Sequence, residues 1–131
     1  MTLKDTIGAV EEFHNAFGIT NNYELTSVLS ESDVLLRYKL MREENEEYLE
    51  AAQNGDIVEI ADALGDMLYI LCGTILKHGL QDKIAAVFQE IQRSNMSKLD
   101  ANGKPIYRED GKVLKSELYF KPDIKTILDK A

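Results

Sequence analysis

The sequence has little cysteine, no low-complexity segment and no signal-peptide pattern. Its 131 residues include a single cysteine, Cys72, which excludes a disulfide within the chain and predicts a reducing, cytoplasmic compartment. The N-terminal residues lack the long apolar core that a signal peptide requires. The apolar stretch from Ile57 to Leu76 carries three acidic residues, which indicates a buried helix and not a membrane span. The length predicts one domain over residues 1–131 and no membrane partner.

Basic residues are absent from the middle of the chain. No lysine or arginine occurs between Glu43 and Leu76, whereas nine acidic residues fall between Glu43 and Asp66. Residues 1–72 carry 15 acidic and 4 basic side chains, and residues 73–131 carry 8 acidic and 11 basic ones. An acidic body with a mildly basic C-terminal part is a poor binder of nucleic acid. It suits divalent cations on the acidic part and a small anion held between the two parts.

Apolar periodicity predicts an all-α fold, a bundle of four helices. The first helix ends at Gly18, the second starts after Ser32 or Asp33, and the third runs from about Ile57 to Lys77. No internal repeat or linker interrupts this pattern.

The fourth helix and the segment after it form the C-terminal part of the prediction. The helix covers residues 82–99, with an apolar stripe formed by Ile84, Val87, Phe88 and Ile91. Two turn signals, Asn-Gly and Asp-Gly, then break the helical pattern. We therefore expect a helical core over about residues 1–99 and an irregular arm or small hairpin over about residues 100–131.

Acidic residues of the second helix divide between two faces. At 100° per residue, Glu43, Glu44 and Glu47 share a face with the apolar stripe of the helix. Glu46 and Glu50 point toward the other edge, beside basic residues, and are typical of surface charge.

The third helix also carries acidic residues on a side that is expected to be buried. Glu59, Asp62 and Asp66 fall within an arc of about 60° on a helix that is apolar at nearly every other position. Buried carboxylates without a partner cost several kcal/mol or take up protons. A divalent metal ion removes this penalty, and ligands that are all oxygen favour Mg²⁺ or Mn²⁺.

Each acidic residue also has a simpler explanation. Asp56 and Glu59 fit a helix-capping box, and Asp66 fits a core carboxylate bonded to a tyrosine of a partner helix. Glu43 and Glu44, taken singly, fit surface charge. Two adjacent helices with acidic residues clustered on core-facing sides favour the metal site over these separate explanations.

The acidic residues resemble the signature of a known enzyme superfamily. Glu43-Glu44-x-x-Glu47 followed by Glu59-x-x-Asp62 is similar to the EExxE…ExxD pattern of the MazG-like, all-α nucleoside triphosphate (NTP) pyrophosphohydrolases. Dimeric dUTPases and phosphoribosyl-ATP pyrophosphohydrolases belong to the same superfamily. The tail "RSNMSKLDANGKPIYREDGKVLK" resembles that of a small-protein branch, so that the similarity covers about residues 36–115. The asparagine- and lysine-rich C-terminal motifs of dimeric dUTPases are absent.

The resemblance implies an activity and a set of site residues. The activity is Mg²⁺-dependent hydrolysis of a nucleoside triphosphate to a monophosphate and pyrophosphate, with Mn²⁺ as a substitute metal, in cleaning the nucleotide pool. Glu43 would complete the site or orient the attacking water, with Glu44 as the second catalytic residue. The implied metal ligands are Glu44, Glu47, Glu59, Asp62 and Asp66. The implied substrate-binding residues are Arg93, Asn95, Lys98, Arg108 and Lys112.

Two other functions compete with this interpretation. A di-iron carboxylate bundle needs two Glu-x-x-His motifs; Glu11 and His14 supply one, whereas His78 has Ile75 at the corresponding position. A non-catalytic helical module would only dimerise through its third helix. Because that helix is apolar nearly all round, we expect a homodimer or a higher homo-oligomer in either case.

Overall fold

The computed structural model describes residues 1–130, which are mainly helical. The elements are α1 (Leu3–Ala16), α2 (Glu31–Gln53), α3 (Ile57–Lys77), α4 (Ile84–Met96), β1 (Ile106–Tyr107), β2 (Val113–Leu114) and α5 (Ile124–Asp129). The predicted all-α class with a small C-terminal hairpin is confirmed. The chain forms two compact units, Met1–Asp82 and the residues from Lys83 onward, and each is described by itself. The single domain over residues 1–131 stays a prediction.

Side-chain caps set the start of each helix in the first unit. Thr2 and Asp5 form a capping box at the start of α1. The Ser30 hydroxyl accepts from the backbone N–H of Asp33, so α2 begins at Glu31, two to three residues before the predicted start. Asp56 caps α3 by accepting from two backbone N–H groups, and α3 has the predicted bounds.

Helix α3 packs against both α1 and α2 and supplies most of the core of the first unit. Leu76 and Cys72 are its most buried side chains, and Ile7 and Val10 of α1 are buried as well. Lys77 of α3 is also buried and donates to the backbone carbonyl and the hydroxyl of Thr20, both at 3.0 Å. The core is small, because many large apolar side chains of α2 and α3 are exposed within this chain.

The second unit is held together by polar contacts between α4 and the C-terminal arm. Glu90, which is buried, binds Arg93 and accepts from the backbone N–H of Asp123 (2.7 Å). Ser94 donates to the carbonyl of Phe120 at 2.8 Å. The predicted apolar stripe of α4 is therefore wrong in part: Phe88 is 67% exposed, and the buried residues of the helix are polar.

In the rest of the second unit, the predicted helix and hairpin are present, but their bounds differ from the predicted ones. Helix α4 ends at Met96, three residues before the predicted end, and three turn residues follow it. The predicted hairpin is two residues wide on each side, with Ile106 opposite Leu114. The short helix α5 was not predicted.

Within residues 1–130, no helix combines the length and the apolar character that a bilayer crossing requires.

Truncation of Leu76, which has no exposed surface, should destabilise the first unit. We expect Leu76→Ala to lower the free energy of unfolding by about 2–5 kcal/mol, because it removes buried methyl groups and leaves a cavity. Urea denaturation followed by circular dichroism measures this change. The control is Leu49→Ala, since Leu49 is 55% exposed. An equal loss in both variants would contradict the assigned core.

Candidate metal centre

Helices α2 and α3 run antiparallel and bring acidic residues of both together. Glu44 and Glu47 lie one turn apart on α2, and Asp66 lies opposite them on α3. One carboxylate oxygen from each of these three residues lies within 4.8 Å of the other two. Glu44 and Asp66 are half-buried, whereas Glu47 is exposed. The cluster therefore presents three oxygen ligands on one side of the α2–α3 contact.

The electrostatic environment of this cluster is strongly negative. The pKa of Glu44 rises to about 7, first because the carboxyl is desolvated and then because of Glu47, Asp66 and Asp62. Burial and the charges of Asp62 and Glu47 also raise the pKa of Asp66. Within residues 1–130, Oε2 of Glu44 is buried without a hydrogen-bond partner. The side chains repel one another, and no lysine or arginine of the first unit forms an ion pair with them.

A cleft of ≈ 500 Å³ continues from this cluster toward the loop that joins α2 and α3. Its lining consists mainly of acidic side chains: Glu47, Glu50, Ala51, Asn54, Asp56, Glu59 and Asp62. Glu47 belongs to both the cluster and the cleft. Each of the five predicted metal ligands therefore belongs to this cluster or to the lining of the adjoining cleft. We call these residues together the acidic seam: Glu44, Glu47, Glu59, Asp62 and Asp66.

Three other acidic residues of α2 lie outside the acidic seam: Glu43, Glu46 and Glu50. Glu43 is exposed and belongs neither to the cluster nor to the lining of the cleft. Glu46 binds Arg42 at 3.1 Å on the surface, in agreement with the sequence analysis. Glu50 is exposed, as expected for surface charge, and it also lines the cleft. Its spacing of three residues from Glu47 was the signal for this, because such residues are neighbours on a helix.

The predicted substrate-binding residues all lie in the second unit. Arg93 binds both carboxylate oxygens of Glu90, at 2.8 and 3.2 Å, and its guanidinium lies 4.4 Å from the centre of the Phe120 ring. Arg108 is paired with Asp110 in the turn of the hairpin. These two arginines therefore already have structural partners, and their contact with a substrate stays a prediction.

The other three predicted substrate-binding residues have no such partner. Within residues 1–130, the side chains of Asn95, Lys98 and Lys112 make no hydrogen bond or ion pair. Asn95 and Lys112 are exposed, and Lys98 is half-buried. Their role toward a phosphate also stays a prediction.

The acidic seam fits a divalent metal ion. Its donor atoms are all carboxylate oxygens, the type that Mg²⁺ and Mn²⁺ prefer. A cation would supply the partner that the buried oxygen of Glu44 lacks, and it would relieve the repulsion that raises two pKa values. A purely structural role would leave these carboxylates either to repel one another or to take up protons.

A protein family matches most of the helical part of the chain. The sequence model of a family described as phosphoribosyl-ATP pyrophosphohydrolase matches residues 10–95. The match includes the whole acidic seam and ends before Lys98, so three of the five predicted substrate-binding residues lie outside it. No curated protein matches the chain.

The raised pKa of Glu44 predicts how the stability of the metal-free protein depends on pH. Between pH 4.5 and about 7, the folded protein holds a proton that the unfolded chain has released. The contribution of Glu44 to stability is therefore fully present below pH 4.5 and is lost as the pH rises through about 7. Thermal melts of the metal-free protein across this range should show the loss, and Glu44→Gln should show less of it. An identical pH dependence in the variant would contradict the assigned environment.

Proposed function

The chain belongs to the phosphoribosyl-ATP pyrophosphohydrolase family of MazG-like enzymes, and on this basis we propose that it hydrolyses nucleoside triphosphates with the help of Mg²⁺. Family membership supports a pyrophosphohydrolase that acts on nucleotides. The proposed reaction converts a (d)NTP and water to a (d)NMP and pyrophosphate, as a nucleotide-pool housekeeping enzyme in a reducing, cytoplasmic compartment. Mn²⁺ is the proposed substitute metal.

One observation carries the proposal: carboxylates from two helices converge without a cation among them. Such an arrangement is unfavourable for the fold alone, since each charge raises the cost of ionising the next. The five residues of the acidic seam are the proposed metal ligands. A polyphosphate carries the same sign of charge as the seam, so a bound cation is what makes the two compatible.

The proposed chemistry divides between the metal and the side chains. When bound, the metal would acidify a water molecule and neutralise charge on the leaving pyrophosphate. Glu43 and Glu44 are the proposed catalytic residues: Glu44 as a ligand, and the exposed Glu43 as the group that orients the attacking water. The lining of the cleft contains no serine, cysteine or histidine that could act as a nucleophile, and Cys72 and His14 are buried elsewhere. Water is therefore the proposed nucleophile.

The substrate-binding role of the C-terminal part rests on the resemblance to the small-protein branch. Of the five residues concerned, Asn95, Lys98 and Lys112 are the better candidates for phosphate contacts. Arg93 and Arg108 are weaker candidates, because each already binds a carboxylate. Removal of either arginine would disturb local structure as well as binding, so these two positions are poor probes of substrate recognition.

A second chain is proposed to cover the exposed apolar surface of α3. Leu64, Leu68 and Leu71 lie at helical spacing on one face and are 50%, 44% and 47% exposed. Large apolar side chains in a continuous row are typical of a surface that another chain covers. The proposed assembly is a homodimer or a higher homo-oligomer, which the non-catalytic dimerisation module would also form.

The products of the reaction distinguish the proposed enzyme from a non-catalytic module. With Mg²⁺ and a mixed dNTP pool, we expect monophosphates and pyrophosphate by ion chromatography. Glu47→Gln and Asp62→Asn should lower kcat on the order of 100-fold, because each loses a group that stabilises charge in the transition state. Glu46→Gln is the matched control, since Glu46 binds Arg42 outside the cleft. Diphosphates and orthophosphate as products would refute the assignment.

The mass of the protein in solution tests the assembly. Light scattering should give at least twice the 14.8 kDa of one chain. We expect Leu68→Glu to shift the mass toward that of one chain, because a charge in a buried apolar contact is unfavourable. Val28→Glu is the control, since Val28 is 79% exposed and lies in the loop before α2. A wild-type protein with the mass of a single chain at micromolar concentration would contradict the proposed assembly.

A further inference from the structure

A half-buried arginine, Arg37, joins α2 to α3 beyond the acidic seam. Its Nη2 donates to the backbone carbonyl of Ile70 at 2.8 Å, and its Nε donates to Oγ1 of Thr74 at 3.0 Å. The Thr74 hydroxyl donates to the same carbonyl at 3.1 Å, which closes a triangle of three hydrogen bonds. None of these groups belongs to the proposed metal centre or to the cleft.

The surface of α3 under this guanidinium is free of side chain. A Cβ atom on Gly73 would lie 2.5 Å from Nη2 of Arg37 and 3.0 Å from Nε2 of His14. His14 is buried on α1, and its Nδ1 donates to Oδ1 of Asn21 at 2.6 Å. Burial lowers the pKa of His14, and the charge of Arg37 lowers it further, so a neutral imidazole lies beside the guanidinium. Three helices therefore meet at Gly73 around the side chain of Arg37.

Arg37 is the polar link between α2 and α3 that lies closest to the carboxylates. It precedes Glu44 by two helical turns on the same face, about 10 Å along the axis. On α3, its acceptor Ile70 follows Asp66 by one turn. The other side-chain link between these helices within residues 1–130 is the 3.9 Å pair of Lys77 and Asp33, which lies farther from the seam. Arg37 thus fixes the axial register of the two helices next to the cluster.

The influence of Arg37 on the cluster is geometric. At about 10 Å along the axis, the attraction between Arg37 and a carboxylate of the seam is weaker than the repulsion between carboxylate oxygens that lie within 4.8 Å of one another. The hydrogen bonds of Arg37 to Ile70 and Thr74 instead allow it to act on metal binding through the relative position of the helices.

We propose that Arg37 is a positioning residue for the metal centre. By holding the backbone of α3 at Ile70 and Thr74, it keeps Glu44 opposite Asp66 although their carboxylates repel one another. The ligands are then close together before a metal ion arrives, and less of the binding free energy is used to bring the helices together. This inference rests on the proposed metal centre and not on the identity of the nucleotide.

The dissociation constant of Mn²⁺, measured by electron paramagnetic resonance without nucleotide, tests the proposal. Arg37→Lys keeps the charge but cannot make the paired contacts of a planar guanidinium. We expect it to weaken Mn²⁺ binding about tenfold, the lower end of the range for groups that support metal ligands. Arg42→Lys is the matched control, because Arg42 is an exposed arginine of the same helix. Its Mn²⁺ affinity should not change.

A second variant separates positioning from general stability. Thr74→Val keeps the volume of the side chain but removes the acceptor of the Arg37 Nε, and it should weaken Mn²⁺ binding by a smaller factor. Melting temperatures of the metal-free variants are recorded in parallel. A lower melting temperature with unchanged Mn²⁺ affinity in both variants would overturn the proposal and leave Arg37 with a structural role. If Arg37→Lys does not fold, the affinity of Thr74→Val decides the question alone.

Turnover is measured separately, so the proposed reaction and the role of Arg37 fail independently. Saturating Mn²⁺ should restore kcat in Arg37→Lys, because all proposed ligands remain in place. A persistent loss of kcat with normal Mn²⁺ affinity would instead place Arg37 in contact with the substrate and overturn the positioning role. A wild-type protein that binds Mn²⁺ without hydrolysing nucleotides would refute the reaction alone.

Discussion

Repulsion between carboxylates across the α2–α3 contact is the constraint on which the rest of the first unit depends. Glu44, Glu47 and Asp66 approach within 4.8 Å, and a buried oxygen of Glu44 has no partner within residues 1–130. This arrangement raises the energy of the metal-free fold, so other contacts must hold the two helices together. Those contacts are the packing of α3 on both neighbours, its buried Leu76, and the hydrogen bonds of Arg37.

The helix ends show that helix stability explains the acidic residues of α3 better than those of α2. Asp56 and Glu59 lie at the start of α3, where the helix dipole favours negative charge. Glu44 and Glu47 lie more than one turn inside α2, where the dipole gives negative charge no advantage, and no cap of α2 involves them. Capping therefore explains the acids of α3 in part, but it does not explain those of α2. The α2 residues are the stronger indication of a ligand.

Helix bounds and shared helix faces could be predicted from the sequence, because they depend on local periodicity. The bounds of α3 and the shared face of Glu44 and Glu47 follow from 3.6 residues per turn and from caps, which are properties of neighbouring residues. The grouping around Arg37 joins residues 33 and 37 positions apart, and no local pattern reports it. The stripe of α4 was wrong in part for a related reason, because Glu90 and Ser94 bind backbone groups of the C-terminal arm that lie 33 and 26 positions away.

The metal, Arg37 and a second chain would all act on one quantity, the distance between α2 and α3. A first unit whose fully buried large side chains are Leu76 and Cys72 has little spare stability to set against the repulsion in its acidic seam. The exposed leucines of α3 belong to the same helix as Asp62 and Asp66. A partner chain that binds only the closely packed helix pair therefore strengthens metal binding, and by linkage the metal strengthens association by the same factor. Metal affinity and assembly are in this way two measures of how firmly the carboxylates are held together.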